Sequence, residues 1–431
     1  MEHVVGVEVA GLTRQRTTTS PTTVSGAPLR QAFVAALACF TLAALTGSLL
    51  RFGALHGFPF GLQFVNVRHA HTHLMYFGWV TPALFALIGA LVVQRSRLPL
   101  PRAYHLTIAV ALVAGVLSYP PFLLSGYQLT TIGDARLPLS MISASLVVLA
   151  WYAWSAAYLA VSWRLPRDAA LLSIDAALLT MLTASTGAWG LAIVGFAPIA
   201  SVTLMNDLVT FFLDLFANGW FTLALVGLLL ATLPPPARVD RRIALPALLA
   251  TLTGTLVAAF ADLVGGADTL ATTARLLAAV GLATLAFLLM RTALGNRRRA
   301  LTLVATLLLV KAILDGALAF AAVAHWSDAL LLQVLLLHAF LLGFVSLALV
   351  VLAVITWRPA AAWLAWVVVA AVAVMLASLV PLTWVWPAAW RGAWALQGAA
   401  WASLAPTAAV VVLAVALARS PAPPRSGSTE A

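Results

Sequence analysis

Apolar residues run through this chain in long unbroken blocks separated by short polar ones, with no stretch of period-two alternation. Segments at 28–50, 71–94, 103–124, 138–163, 170–197, 206–233, 242–262, 270–290, 300–324, 329–356, 361–382 and 394–418 each reach the length a helix needs to cross a hydrocarbon core, about 20 residues. Richness in Leu, Ala and Val, and the absence of short alternating segments, predict a helical bundle rather than a barrel. The expected fold is an all-α polytopic membrane protein, a twelve-helix domain over 28–419. A Thr/Ser-rich tail at 1–27 and a Pro/Ser-rich tail at 420–431 are expected to be disordered. The first of these lacks the pattern of a signal peptide, so the first span is expected to stay as an anchor.

Composition supports the same reading: of 431 residues, 63% are hydrophobic and 9% charged, which no soluble globule tolerates. The arginines add orientation. Arg95, Arg97 and Arg102 follow the second span, Arg164 and Arg167 the fourth, Arg241 and Arg242 the sixth, Arg297, Arg298 and Arg299 the eighth. Basic loops face the cytoplasm, so both termini are expected there, in a bacterial-type cytoplasmic membrane. The other side keeps Arg51, Arg68, Arg136 and Arg391. The net charge of +11 is explained by loops facing anionic headgroups. The expected partner is therefore the lipid bilayer, with no nucleic acid. The single cysteine, Cys39, lies within the first span, which excludes a disulfide, a c-type haem attachment and a thiolate metal centre.

Histidine is costly in lipid unless coordinated or hydrogen-bonded, and three crowd into Arg68-His69-Ala70-His71-Thr72-His73 where the second span opens. On a helix His69 and His73 share a face and His71 points the other way. The His71 stripe continues through Gly78 and Pro82, a small residue and a kink that leave room for something flat. His338 interrupts the apolar tenth span, which enters from the same side as the second. The rise per residue puts His71 and His338 both roughly 10–15 Å deep, matched for clamping one haem iron axially. Asp207 and Asp214 stand in the sixth span, and a carboxylate there needs a partner: a proton, a histidine or a cation. Lys311 and Asp315 have the spacing of an intrahelical ion pair, or of a proton or ion path that Asp175 and Arg275 would extend. Arg391, in a Trp-rich outer loop, is a candidate partner for haem propionates.

Together these residues resemble subunit I of the haem–copper oxidase superfamily: twelve helices, a histidine at the outer end of the second followed eleven residues later by proline, and a histidine in the outer half of the tenth. His69-Ala70-His71 with Gly78-Trp79 is more similar still to small stand-alone subunit-I-like and NnrS-type membrane proteins. The resemblance implies one bis-histidine haem b on His71 and His338. It also has departures. The oxidases take a copper B ligand from the sixth helix and an adjacent pair from the seventh; here Asp214 stands in the sixth and the seventh has no histidine. Positions 336 and 340 are Leu and Phe, so the tenth helix has no second haem ligand. Copper and oxygen reduction are thus not expected.

The function implied is electron transfer, with a redox partner protein, or a response to nitric oxide or another respiratory stress. Two alternatives come from other classes. One is a membrane oxidoreductase with a second metal site on His69, His73 and Asp214. The other is a secondary transporter using Lys311 and Asp315, although the loop at 94–102 lacks the Gly and Asp of the major facilitator signature.

Overall fold

Twelve helices among the described residues are long and apolar enough to cross a membrane: α1 Ala27–His56, α2 Phe64–Ser96, α3 Arg102–Ser125, α4 Leu139–Ser162, α5 Ala169–Val194, α6 Val202–Ala231, α7 Arg241–Val264, α8 Asp268–Gly295, α9 Arg299–Leu318, α10 Gln333–Trp357, α11 Trp363–Leu382 and α12 Ala393–Ala418. The structure is a computed structural model and describes residues 26–196, 201–233 and 240–419. The tails expected at 1–27 and 420–431 lie outside these residues apart from Gly26 and Ala27. The chain is an all-α polytopic membrane protein.

Several boundaries differ from the sequence pattern, among them the start of α2 and the end of α9. α2 starts at Phe64, not at 71, because its polar opening is held by tertiary bonds: Asn66 Nδ2 donates to the Leu124 carbonyl of α3 at 3.1 Å. The three histidines therefore lie inside the helix and not at its mouth. α9 stops at Leu318, Phe320 is extended, and Ala321–Ala329 forms a separate short helix. Between α3 and α4 the chain makes a small antiparallel hairpin, β1 Thr130–Ile132 and β2 Ala135–Leu137, with Ile132 paired to Ala135. The turn places Gly133 at φ 58°, in the region glycine favours.

Three helices form the interior. The spanning windows of α2, α6 and α10 are 89%, 78% and 72% buried, against 33–44% for the other nine. They touch one another pairwise, and the outer helices close around them, with α12 meeting α1. Each inner helix widens into a π-helical stretch: Leu74–Val80, Leu215–Phe221 and Ala339–Ser346. These stretches match in sequence. Gly78-Trp79, Gly219-Trp220 and Gly343-Phe344 occupy one position, Thr81, Thr222 and Ser346 follow, and His73, Asp214 and His338 stand five residues before the glycines. The chain thus reads as three units of four helices, each with its second helix inside.

The shared hydroxyls explain the wide turns. Thr222 Oγ1 donates to the Ala217 carbonyl at 3.0 Å and Ser346 Oγ to that of Leu341 at 2.9 Å, both five residues back. They also link the three units in series. Trp79 Nε1 of α2 donates to Ser346 Oγ of α10 at 3.1 Å, and Trp220 Nε1 of α6 donates to Thr81 Oγ1 of α2 at 3.4 Å. The third position carries Phe344, which has no donor.

Ser346→Ala strands the indole N–H of Trp79, a fully buried residue. The expected loss of thermal stability in detergent is about 1–2 kcal/mol. Adding Trp79→Phe to that background should cost less than Trp79→Phe alone, a coupling that a double-mutant cycle measures.

Candidate functional site

The interior helices α2 and α10 each carry one of the two sequence-matched histidines, with its Nδ1 bound to a backbone carbonyl. The face separation expected of the triplet is realised. His71 turns toward α1, whereas His69 and His73 turn toward α3 and the residues after it. The His71 Nδ1 lies 2.7 Å from the Ala43 carbonyl. A carbonyl only accepts, so Nδ1 carries the proton and Nε2 keeps its lone pair. The ring crosses α1 at Gly47, where an added Cβ would sit 2.9 Å from its Cε1 and 3.3 Å from its Nδ1. Glycine is required at that crossing by the imidazole itself.

His338 repeats the arrangement on α10. Its Nδ1 donates to the Val334 carbonyl one turn back at 2.7 Å, which again leaves Nε2 as the free acceptor. His71 and His338 stand near enough for their charges to interact, and each also interacts with the guanidinium of Arg51 on α1. Arg51 is partly buried and has no hydrogen-bond or ion-pair partner among the described residues. Two imidazoles with fixed tautomers thus leave their Nε2 atoms open as nitrogen donors, with one unpaired guanidinium as an electrostatic neighbour of both.

The space on the His71 stripe differs from the expectation. Gly78 offers no room for a flat group: a Cβ there would meet Cys39 of α1 at 3.1 Å, and on the other side Gly115 of α3 abuts the Phe77 carbonyl. Gly78 serves close helix packing, and the glycine that the His71 ring packs against is Gly47 of α1.

Arg391 is also placed otherwise. Its Nε and Nη2 donate to the carbonyls of Trp384 and Trp386 at 2.8–3.0 Å, and its guanidinium lies 4.2 Å from the centre of the Trp384 ring. It ties the tryptophan loop to itself, and the unpaired cation beside the histidines is Arg51.

His69 and His73 form an aromatic cluster. His73 stacks on Phe122 with ring centres 3.7 Å apart, its Nε2 is 3.1 Å from the Tyr127 hydroxyl, and the His69 ring meets Tyr127 edge-on at 4.8 Å. Asp214 is not with them. It lines a cavity of about 270 Å³ between α6, α7, α8 and α9, together with Asn218, Thr251, Thr255, Arg275, Lys311 and Asp315. No group of three or more His, Cys, Asp or Glu side chains capable of holding a metal occurs among the described residues. The set His69, His73 and Asp214 is therefore not assembled, because the helical face that carries the histidines looks toward α3 and Asp214 looks toward α9.

The cavity does collect Lys311, Asp315 and Arg275, as the ion-path pattern expects. Lys311 pairs with Asp315 and donates to Asn218 Oδ1 at 2.9 Å, and Arg275 pairs with Asp262. Asp175 does not extend this group. It pairs with Arg167 at 2.8 Å and accepts from Tyr158 at 2.8 Å.

Gly47→Ala forces the His71 ring to give by several tenths of an ångström against α1, with an expected stability loss of about 1–3 kcal/mol. Gly398→Ala on α12, where the new Cβ meets open space, should be neutral or stabilising. Parallel thermal unfolding of the two variants checks this. No protein-family model matches the chain and no curated protein is similar to it.

Proposed function

We propose that this chain is a haem-b-binding membrane protein related to haem–copper oxidase subunit I, with one haem held between His71 of α2 and His338 of α10. The observation that carries the reading is the pair of free Nε2 atoms, each set by an Nδ1 bond to a backbone carbonyl. Axial imidazoles in metal sites have this second bond as a rule, since it fixes the ring and raises its basicity. A bound haem would supply a one-electron couple.

The protein residues have separable tasks in this reading. His71 and His338 bind from two helices. Arg51 balances the carboxylates of the ring, in the role the sequence pattern assigned to Arg391. Gly47 admits the His71 ring against α1.

Oxygen reduction is not part of the proposal. The resemblance would put copper B ligands on α6 and α7, and those helices face their shared cavity with Asp214, Asn218, Thr251 and Thr255, a set too poor in nitrogen ligands for copper. Electron transfer to a redox partner protein is the chemistry that a haem held by His71 and His338 would support. A role in the response to nitric oxide or respiratory stress rests on the similarity to NnrS-type proteins. The proposed setting is a bacterial-type cytoplasmic membrane with both termini cytoplasmic.

The deciding experiment is a dithionite-reduced minus oxidised spectrum of the detergent-purified protein, repeated under carbon monoxide. Sharp b-type bands unmoved by carbon monoxide are expected in the wild type and in His69→Ala, and none in His71→Ala or His338→Ala. Full haem in His71→Ala overturns the assignment.

Arg51→Leu should keep the haem and lower its midpoint potential, because loss of a nearby cation favours the oxidised, more positive iron. A loss of about 1.4 kcal/mol corresponds to about 59 mV for one electron, and a spectroelectrochemical titration reads it.

A further inference from the structure

The cavity between α6, α7, α8 and α9 is a second polar site, independent of the haem reading. Its charges do not balance. Arg275 is paired with Asp262 and Lys311 with Asp315. Asp214 is the third carboxyl, and it has no hydrogen-bond or ion-pair partner among the described residues. The electrostatic neighbours of Asp214 are Asp262 on α7, Arg275 on α8, Lys311 and Asp315 on α9, and Tyr76 on α2. No charged group of α5 or α10 lines the cavity.

The shape fits water. About 270 Å³ holds several water molecules, and the walls provide the hydroxyls of Thr251 and Thr255 for them. Asp315 and Arg275 are 39% and 40% exposed, which places them at the open end, whereas Lys311 is 7% exposed. The inner end is closed by Lys311, whose ammonium also sits 4.5 Å from the centre of the Phe340 ring on α10.

We infer that Asp214 is a proton-exchanging carboxyl in a hydrated intramembrane cavity. Its acid form releases a proton to cavity water and leaves a carboxylate facing the ion pairs of Arg275 and Lys311; uptake from water reverses the step. A proton suits the site better than a metal cation. A metal would need several oxygen ligands, and the other two carboxylates are already committed to arginine and lysine. An anion would be met by the unpaired carboxyl.

Infrared spectra of the full-length protein in liposomes, recorded across pH in H₂O and D₂O, test this. A protonated-carboxyl stretch that titrates and shifts in D₂O is expected. It should be lost in Asp214→Asn, be retained in Asp207→Asn, whose position on α6 is outside the cavity, and return at an altered frequency in Asp214→Glu. Persistence of the band in a folded Asp214→Asn protein, or no titrating band in the wild type, overturns the inference. So does a band whose midpoint moves with sodium or potassium concentration, which would put a metal cation in the cavity. Haem content has no bearing on these outcomes.

Discussion

In hydrocarbon a polar group has to find its partner inside the protein, and the interior of this bundle is organised by that demand. The inner helices α2, α6 and α10 carry indoles and hydroxyls where lipid offers nothing to bond. Trp79 finds Ser346 and Trp220 finds Thr81, so satisfying one helix requires placing another. Two of these hydroxyls also reach carbonyls five residues back, and the backbone widens into π turns to let them. The side chains just before those turns, His73, Asp214 and His338, stand at one matching position of the three inner helices, five residues before a glycine.

What distinguishes the three sites is the helix that each side chain meets. His338 has His71 of α2 and Arg51 of α1 as electrical neighbours. Asp214 looks across a cavity to Lys311 of α9. His73 stacks on Phe122 and touches Tyr127. One architectural position thus yields a nitrogen donor beside a cation, a carboxyl beside two ion pairs, and an aromatic cluster. The first suits a metal centre, the second suits proton exchange, and the third is packing with one hydroxyl contact.

The twelve spans were legible because a run of apolar residues is a local property. The opposite facing of His71 from His69 and His73 was legible for the same reason, since it follows from helix geometry. The start of α2 was not, because Asn66 and Arg68 read as loop until the bond from Asn66 to α3 is known. In the sequence Arg51 was only one of the few basic residues of the outer side, and Arg391 in its tryptophan loop was the candidate cation for haem propionates. Only the fold shows that the loop carbonyls occupy Arg391, while Arg51 has no partner among the described residues. Asp214 carried a true signal, an uncompensated carboxyl in a span, but its neighbours come from four other helices and no spacing rule names them. The internal repeat was present as Gly-Trp, Gly-Trp and Gly-Phe followed by a hydroxyl residue, a pattern too short to stand out from so apolar a chain.

The two polar sites are joined by α10. Lys311 lies against Phe340, two residues beyond His338 and inside the π turn that His338 precedes. Lys311 is nearly fully enclosed by Asn218, Asp315 and that ring, and the Ser346 hydroxyl anchors the same π turn to Trp79 of α2. The cavity that Asp214 lines and the segment that carries His338 therefore share one packed contact, Lys311 against Phe340.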